Sequence, residues 1–161
     1  MKIGIIGPNK LFNGNPEERK QLISDVAKII AESNHEIVLT PDKDSLLVHF
    51  AKKYLEYGGK KINLIVPLDD DYEQYLDTTL GEIISCSTWQ NQPSKFNEIS
   101  DTFICIGHAW GGMKEIAHIQ YSNKKIPTYI INEFISQKLP EELNFLVDYI
   151  DMKNLAETLK E

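Results

Sequence analysis

Ser100-Asp-Thr-Phe-Ile-Cys-Ile-Gly-His-Ala-Trp-Gly-Gly-Met-Lys-Glu-Ile-Ala-His-Ile-Gln120 is the stretch whose reading decides the fold. The apolar run from Thr102 to Ile106 stops at Gly107, a glycine-bearing turn follows, and a helical pattern starts near Gly111 with Glu115 on its first turns. This is the pattern of a buried strand feeding a helix N-terminus. Such a junction leaves several backbone N–H groups aimed at one place, with the positive end of the helix dipole behind them. Open α/β sheets bind phosphates there.

The same alternation runs outward from this stretch. Toward the N-terminus, Lys2 to Gly7 reads as a strand, and Asn15-Pro16-Glu17-Glu18 opens a helix with Asn15 as N-cap and Glu18 placed for a capping box. Glu36 to Thr40 is the second strand, Asp42 or Asp44 can cap a second helix that Gly58-Gly59 ends, and Lys61 to Pro67 is the third strand. A short strand over Glu82 to Cys86 and a helix over Ser94 to Ile99 lead into the opening stretch. Beyond it come a strand over Pro127 to Asn132, a last strand over Phe145 to Ile150, and a terminal helix capped by Asp151. The β-α-β-α-β order predicts an α/β fold, a doubly wound, Rossmann-like parallel sheet with helices on both faces.

The 161 residues are enough for one nucleotide-binding domain spanning residues 1–161, with no linker, repeat or low-complexity tract. No apolar run approaches the roughly 18 residues a membrane span requires, and the N-terminus reads as a strand and not a signal peptide, so a cytoplasmic protein without a membrane partner is expected. A net charge of −7 argues against a nucleic-acid surface, because phosphate-backbone binding draws on clustered Lys and Arg. The only arginine is Arg19, which leaves bidentate phosphate clamps unsupplied. Cys86 and Cys105 read as reduced and structural.

These motifs resemble the Lonely Guy type of phosphoribohydrolase and its wider superfamily, long mislabelled as lysine decarboxylases. The family pattern is Ser-Asp, an apolar run, Pro-Gly-Gly-x-Gly-Thr-x-x-Glu, a helix with a Gln, and Lys-Pro before the next strand. Ser100-Asp101, the run Phe103 to Ile106, Glu115, Gln120 and the Lys125-Ile126-Pro127 break fall at matching offsets. His108-Ala109-Trp110-Gly111-Gly112 departs from the glycine motif, and Gln92 stands where the family has an arginine. The resemblance implies N-glycosidic hydrolysis of nucleoside 5′-monophosphates with Glu115 as catalytic carboxylate, and a homodimer. Because the departures fall on the chemistry, a binding, carrier or sensor role for a nucleotide or phosphorylated nucleoside-like ligand is favoured over hydrolysis. A base-exchanging deoxyribosyltransferase with Glu115 as nucleophile is the third possibility.

The candidate ligand- and phosphate-binding residues are Gly7, Pro8 and Asn9 after the first strand, and Gly107, His108, Ala109, Trp110, Gly111 and Gly112 at the turn. Gln92 and Glu115 are the candidate catalytic positions. Each has a plainer reading: Glu115 as a solvated first-turn residue, Trp110 as a space filler for missing glycines, His118 as a half-buried helix residue. His108, Glu115 and His118 could form a metal trio, but no neighbouring Cys or Asp completes a recognised spacing, and Asp69-Asp70-Asp71, though it could suggest a Mg²⁺ loop, reads as a solvated turn; no metal and no cofactor is expected.

Overall fold

Strand formation follows from apolar runs too short for helices, and the strands pair in one direction because a helix or long crossover separates each from the next. A computed structural model describes residues 1–8 and 14–160. Seven strands, β1 (Lys2–Ile6), β2 (Glu36–Leu39), β3 (Ile62–Val66), β4 (Glu82–Ser85), β5 (Thr102–Cys105), β6 (Thr128–Ile131) and β7 (Asp148–Ile150), form one parallel sheet in the order β4-β3-β2-β1-β5-β6-β7. Helices α1 (Pro16–Glu32), α2 (Leu46–Glu56), α3 (Gln92–Ile99), α4 (Trp110–His118), α5 (Glu141–Asn144) and α6 (Leu155–Thr158) connect or follow them. This is the doubly wound, Rossmann-like architecture expected from the sequence.

The period of two along each strand divides the core between the two faces. Ile3 and Ile5 of β1, Ile37 and Leu39 of β2 and Ile104 of β5 join the buried faces of α1, α2 and α6. Ile6, Val38, Phe103 and Cys105 join Phe96 of α3 and Ile116 of α4 on the other side. Phe103 stacks on Phe96 with ring centroids 4.8 Å apart, and Gly4 permits it: a Cβ there would collide with the Phe103 ring.

Helix starts are set by capping, and three differ from expectation: Asp151 does not cap α6, whose cap position is Asn154, and its Oδ1 instead accepts from the Asn132 amide at 2.8 Å. Asn15 caps α1 through the Glu17 N–H (3.0 Å), one residue short of the position a capping box uses. Ser45, neither Asp42 nor Asp44, caps α2 by accepting from the Val48 N–H at 3.2 Å. That substitution of roles matters for the site, because it leaves the Asp42 side chain free of the helix end. The Asp69 to Asp71 segment is a turn in which Asp70 Oδ2 accepts from the Trp89 N–H (2.7 Å) and Asp71 accepts from Gln74 (2.8 Å). Among the described residues no helix is long and apolar enough to cross a membrane.

Candidate functional site

The sheet order reverses between β1 and β5: from β1 the chain adds strands on one side, then returns to add β5 on the other. Loops leaving these two strands diverge and open a crevice at their C-terminal ends. A cleft of about 780 Å³ lies there, lined by Gly7 after β1, Thr40, Asp42 and Leu47 after β2, Trp89 and Gln92 at the start of α3, and residues His108 to Glu115. That volume suits a nucleotide-sized molecule.

The floor of the cleft is the start of α4. Ala109, extended at φ −151° and ψ 165°, occupies the cap position without a side-chain cap bond, and the Met113 N–H is bonded to the Ala109 carbonyl at 2.9 Å. The N–H groups of Trp110, Gly111 and Gly112 therefore precede the first intrahelical bond and retain the positive end of the dipole. Gly111 faces open space, whereas a Cβ on Gly112 would lie 2.7 Å from the buried Ile6 Cγ2. One glycine leaves an approach for a ligand and the other lets α4 pack on β1.

His108 precedes this turn. Both of its ring nitrogens are buried, and neither has a hydrogen-bond partner among the described residues. Burial lowers its pKa, opposed by the nearby Gln137 backbone, whose approach falls short of hydrogen-bond geometry. An imidazole with two unsatisfied nitrogens is costly unless something fills the site.

The opposite wall is acidic. The Gln92 amide donates from Nε2 to Glu115 Oε1 (2.8 Å) and to Thr40 Oγ1 (3.0 Å), tying α3, α4 and β2 together. Glu115 is pushed up to about 7 by burial, with Asp42 adding to the rise and the Gln92 bond and Lys114 opposing it. Asp42 is pushed up to about 6, also by burial. Near neutrality Glu115 is partly protonated and Asp42 largely ionised, so the two do not make a fixed double negative charge.

Of the residues singled out by sequence, Gly7, Gln92, His108, Ala109, Trp110, Gly111, Gly112 and Glu115 converge on the cleft. Pro8 and Gly107 do not line it; they pack against each other at the turn, where Gly107 has φ +132° and a Cβ would approach Pro8 Cδ at 3.0 Å. Asn9 lies outside the described residues. Among the described residues no three His, Cys, Asp or Glu side chains converge to hold a metal ion, and the His118 ring packs edge-on against Tyr121. Thr40, Asp42, Leu47, Trp89, Met113 and Lys114 complete the lining without having been assigned to the site. For Asp42 a signal existed: it follows the strand beside β1, at the strand ends where such sheets bind ligands.

No family model matches the sequence, and no curated protein does. Among solved structures, the chain superposes on the molybdenum cofactor binding protein of Rippkaea orientalis with a TM-score of 0.75 and 17% identity, over 99% of this chain and 94% of that one. It superposes on the molybdenum cofactor carrier protein of Chlamydomonas reinhardtii with a TM-score of 0.74 and 17% identity, over 99% and 96%. DNA processing protein A of Helicobacter pylori, which binds single-stranded DNA, matches with a TM-score of 0.67 and 18% identity, over 99% and 80%. At these identities the likeness establishes the fold.

The comparisons correct the resemblance to the Lonely Guy, lysine-decarboxylase-like family and the phosphoribohydrolase activity it implied: no family model matches, and the structures that match include molybdenum cofactor carriers. The geometry gives the physical reason. Gln92 is neutral where an arginine would supply charge. Ser100-Asp101 sits at the far end of β5, where Asp101 Oδ2 accepts from the Lys2 N–H at 2.7 Å, so this part of the motif is a structural clamp.

Proposed function

We propose that this chain binds and carries a phosphorylated heterocyclic small molecule in the cleft at the α4 N-terminus. The observation that carries the reading is the uncapped start of α4 opening on the cleft beside the buried, unpartnered nitrogens of His108. Free N–H groups and a helix dipole suit a phosphate without any arginine. The two tryptophans of the chain, Trp89 and Trp110, both line the cleft and can pack on a planar ring.

Nucleoside monophosphates belong to this class, and so does the molybdenum cofactor, a pterin with a phosphate tail, which the matched carriers bind. The residues present fit such a group: the α4 amides and His108 would hold its phosphate, and the aromatic walls its ring. Cys105 is buried with its thiol donating to the Gly107 carbonyl (3.2 Å), so no thiolate from β5 competes for a bound metal. Holding the ligand through backbone amides and aromatic faces, with the neutral Gln92 amide on Glu115 where hydrolysis would call for a cation, supports carriage over turnover. No feature of the site favours base exchange.

The test uses the two tryptophans. Protein purified without denaturation is extracted for mass spectrometry and metal analysis, and stripped protein is titrated with GMP, FMN and inorganic phosphate by tryptophan fluorescence. Saturable quenching by a phosphorylated heterocycle, exceeding that by phosphate alone, is expected. No co-purified molecule and no quenching by any of them would overturn the reading.

A further inference from the structure

The cleft carries opposite chemistry at its two ends. Donors lie at the α4 start, after β5: the amides of residues 110 to 112, with His108 beside them. Acceptors lie beyond β2: the Asp42 carboxyl, for which no hydrogen-bond partner is found among the described residues, the second oxygen of Glu115 and the Gln92 amide oxygen. Both N–H groups of the Gln92 amide are already committed, one to Thr40 and one to Glu115. The wall therefore offers several acceptors and, apart from the Thr40 hydroxyl, no fixed donor. β2 and β5 flank β1, so two strand spacings, roughly 10 Å, separate the strand ends from which Asp42 and the α4 start extend. That span matches the reach from a ring edge to a phosphate in a monophosphorylated heterocycle.

We propose that the wall of Asp42, Glu115 and Gln92 recognises a ligand edge bearing two adjacent N–H donors, the ring N–H and exocyclic amine of a 2-amino-4-oxo heterocycle, and that Asp42 sets this selectivity. The inference rests on the carrier reading and deepens it. Carboxylates pair bidentately with paired N–H donors, and Trp89 beside the wall suits a flat ring better than a flexible amine. Asp42 and Glu115 face Thr40 from the end of β2, Gln92 from α3, and Lys114 from α4; Lys114 is exposed and lowers Glu115 only as the smallest of its influences. No cation of the described residues is recorded acting on Asp42, whose rise has burial as its cause. A donor pair on the ligand would supply what the wall lacks.

The test compares ligands that share a phosphate and differ at this edge. GMP carries both donors, IMP lacks the exocyclic amine, and dGMP lacks only the 2′-hydroxyl. The expected result is GMP binding about tenfold or more tighter than IMP, with dGMP equal to GMP. Asp42→Asn, whose shape is retained, should bring the GMP-to-IMP ratio to within about twofold, with circular dichroism confirming the fold. Equal binding of GMP and IMP overturns this inference and leaves the carrier reading standing, whereas failure of all three to bind overturns both. A loss on going from GMP to dGMP in place of the loss from GMP to IMP would reassign Asp42 to a sugar and overturn the inference. Titrating pterin against its counterpart lacking the 2-amino group separates the two sources of such an edge: the larger ratio identifies pteridine or purine as the ring.

Discussion

Replacing Glu115 by Gln should stabilise the protein at alkaline pH and leave it unchanged at acid pH. Burial raises the native carboxyl from its ordinary 4.5 to about 7, so the folded state holds a proton that the unfolded chain releases between those values. Stability is greatest below the unfolded value and falls as pH rises through about 7. At 1.36 kcal/mol per pH unit the interval corresponds to about 3 kcal/mol when the group is fully ionised. Glu115 keeps some solvent exposure, which reduces this to about 1–2 kcal/mol. The Gln carbonyl can still accept from the Gln92 amide, so Glu115→Gln keeps the bridge across the cleft and removes the charge. For a domain of this size the gain amounts to about 3–6 °C in Tm. Melting curves followed by circular dichroism at pH 5 and pH 8.5 measure it as the difference between the two mutant-minus-wild-type values. An equal shift at both pH values, or a lower Tm for the variant at pH 8.5, would refute the claim that this carboxyl sits in a low-dielectric cleft. Asp42→Asn should behave in the same direction over a window centred lower, because Asp42 reaches only about 6.

The two helix glycines should separate stability from binding. Gly112→Ala forces a methyl group against Ile6 and should cost about 1–3 kcal/mol in urea unfolding. Gly111→Ala meets open space and should be neutral or stabilise by up to about 1 kcal/mol, while weakening the binding of phosphorylated ligands measured by fluorescence. Cys105, buried and pushed up to about 12, and Cys86, buried and also raised, should resist thiol reagents in the native state and react only on unfolding; rapid modification of either would refute their assignment as structural. Homodimerisation is tested by light scattering: Trp110 and Tyr121, 86% and 75% exposed on and just after α4, should be covered in a dimer, and a monomer at working concentration would remove that expectation.

The architecture was legible because the central strands carry apolar runs and the longer helices apolar stripes, and both periods survive tertiary packing. The turn from Gly107 to Gly112 was legible as the junction of β5 with the start of α4 for the same reason: a strand ending in glycine before a helix has few other geometries. The resemblance put Gln92 at the position of the family arginine beside Glu115, and the two side chains do meet. Asp42 was misread as a helix cap, since Asp and Ser are near-equal caps and nothing local tells which of Asp42, Asp44 and Ser45 begins α2. Its place in the cleft depends on β2 lying beside β1, a fact of sheet order. Trp89 is in the same position: its backbone is held by Asp70, nineteen residues earlier, across a turn whose three aspartates suggested a metal loop. The family resemblance failed because a motif of glycines, one acid and Ser-Asp is largely a description of how a strand enters a helix, and many functions share that junction.

Under the carrier reading the anion is held without a bidentate arginine clamp, and Lys114 is the one Lys or Arg among the described residues that lines the cleft. The α4 amides provide fixed dipoles that require no ionisable group, and their alignment is supplied by folding before the ligand arrives. The acidic wall would oppose an anion if both carboxyls were ionised in water. Burial instead leaves Glu115 partly protonated near neutrality while Asp42 is largely ionised, so the field across the cleft is weaker than two full carboxylates would impose. Gln92 is decisive here. An arginine at that position would ionise Glu115 permanently and consume its lone pairs in an ion pair, closing the acceptor wall to a ligand. With an amide in its place, the wall stays tied together by two hydrogen bonds, yet retains acceptors facing the cleft. The departure that removes the charge expected for hydrolysis is thus the same one that leaves a wall able to read a ring edge.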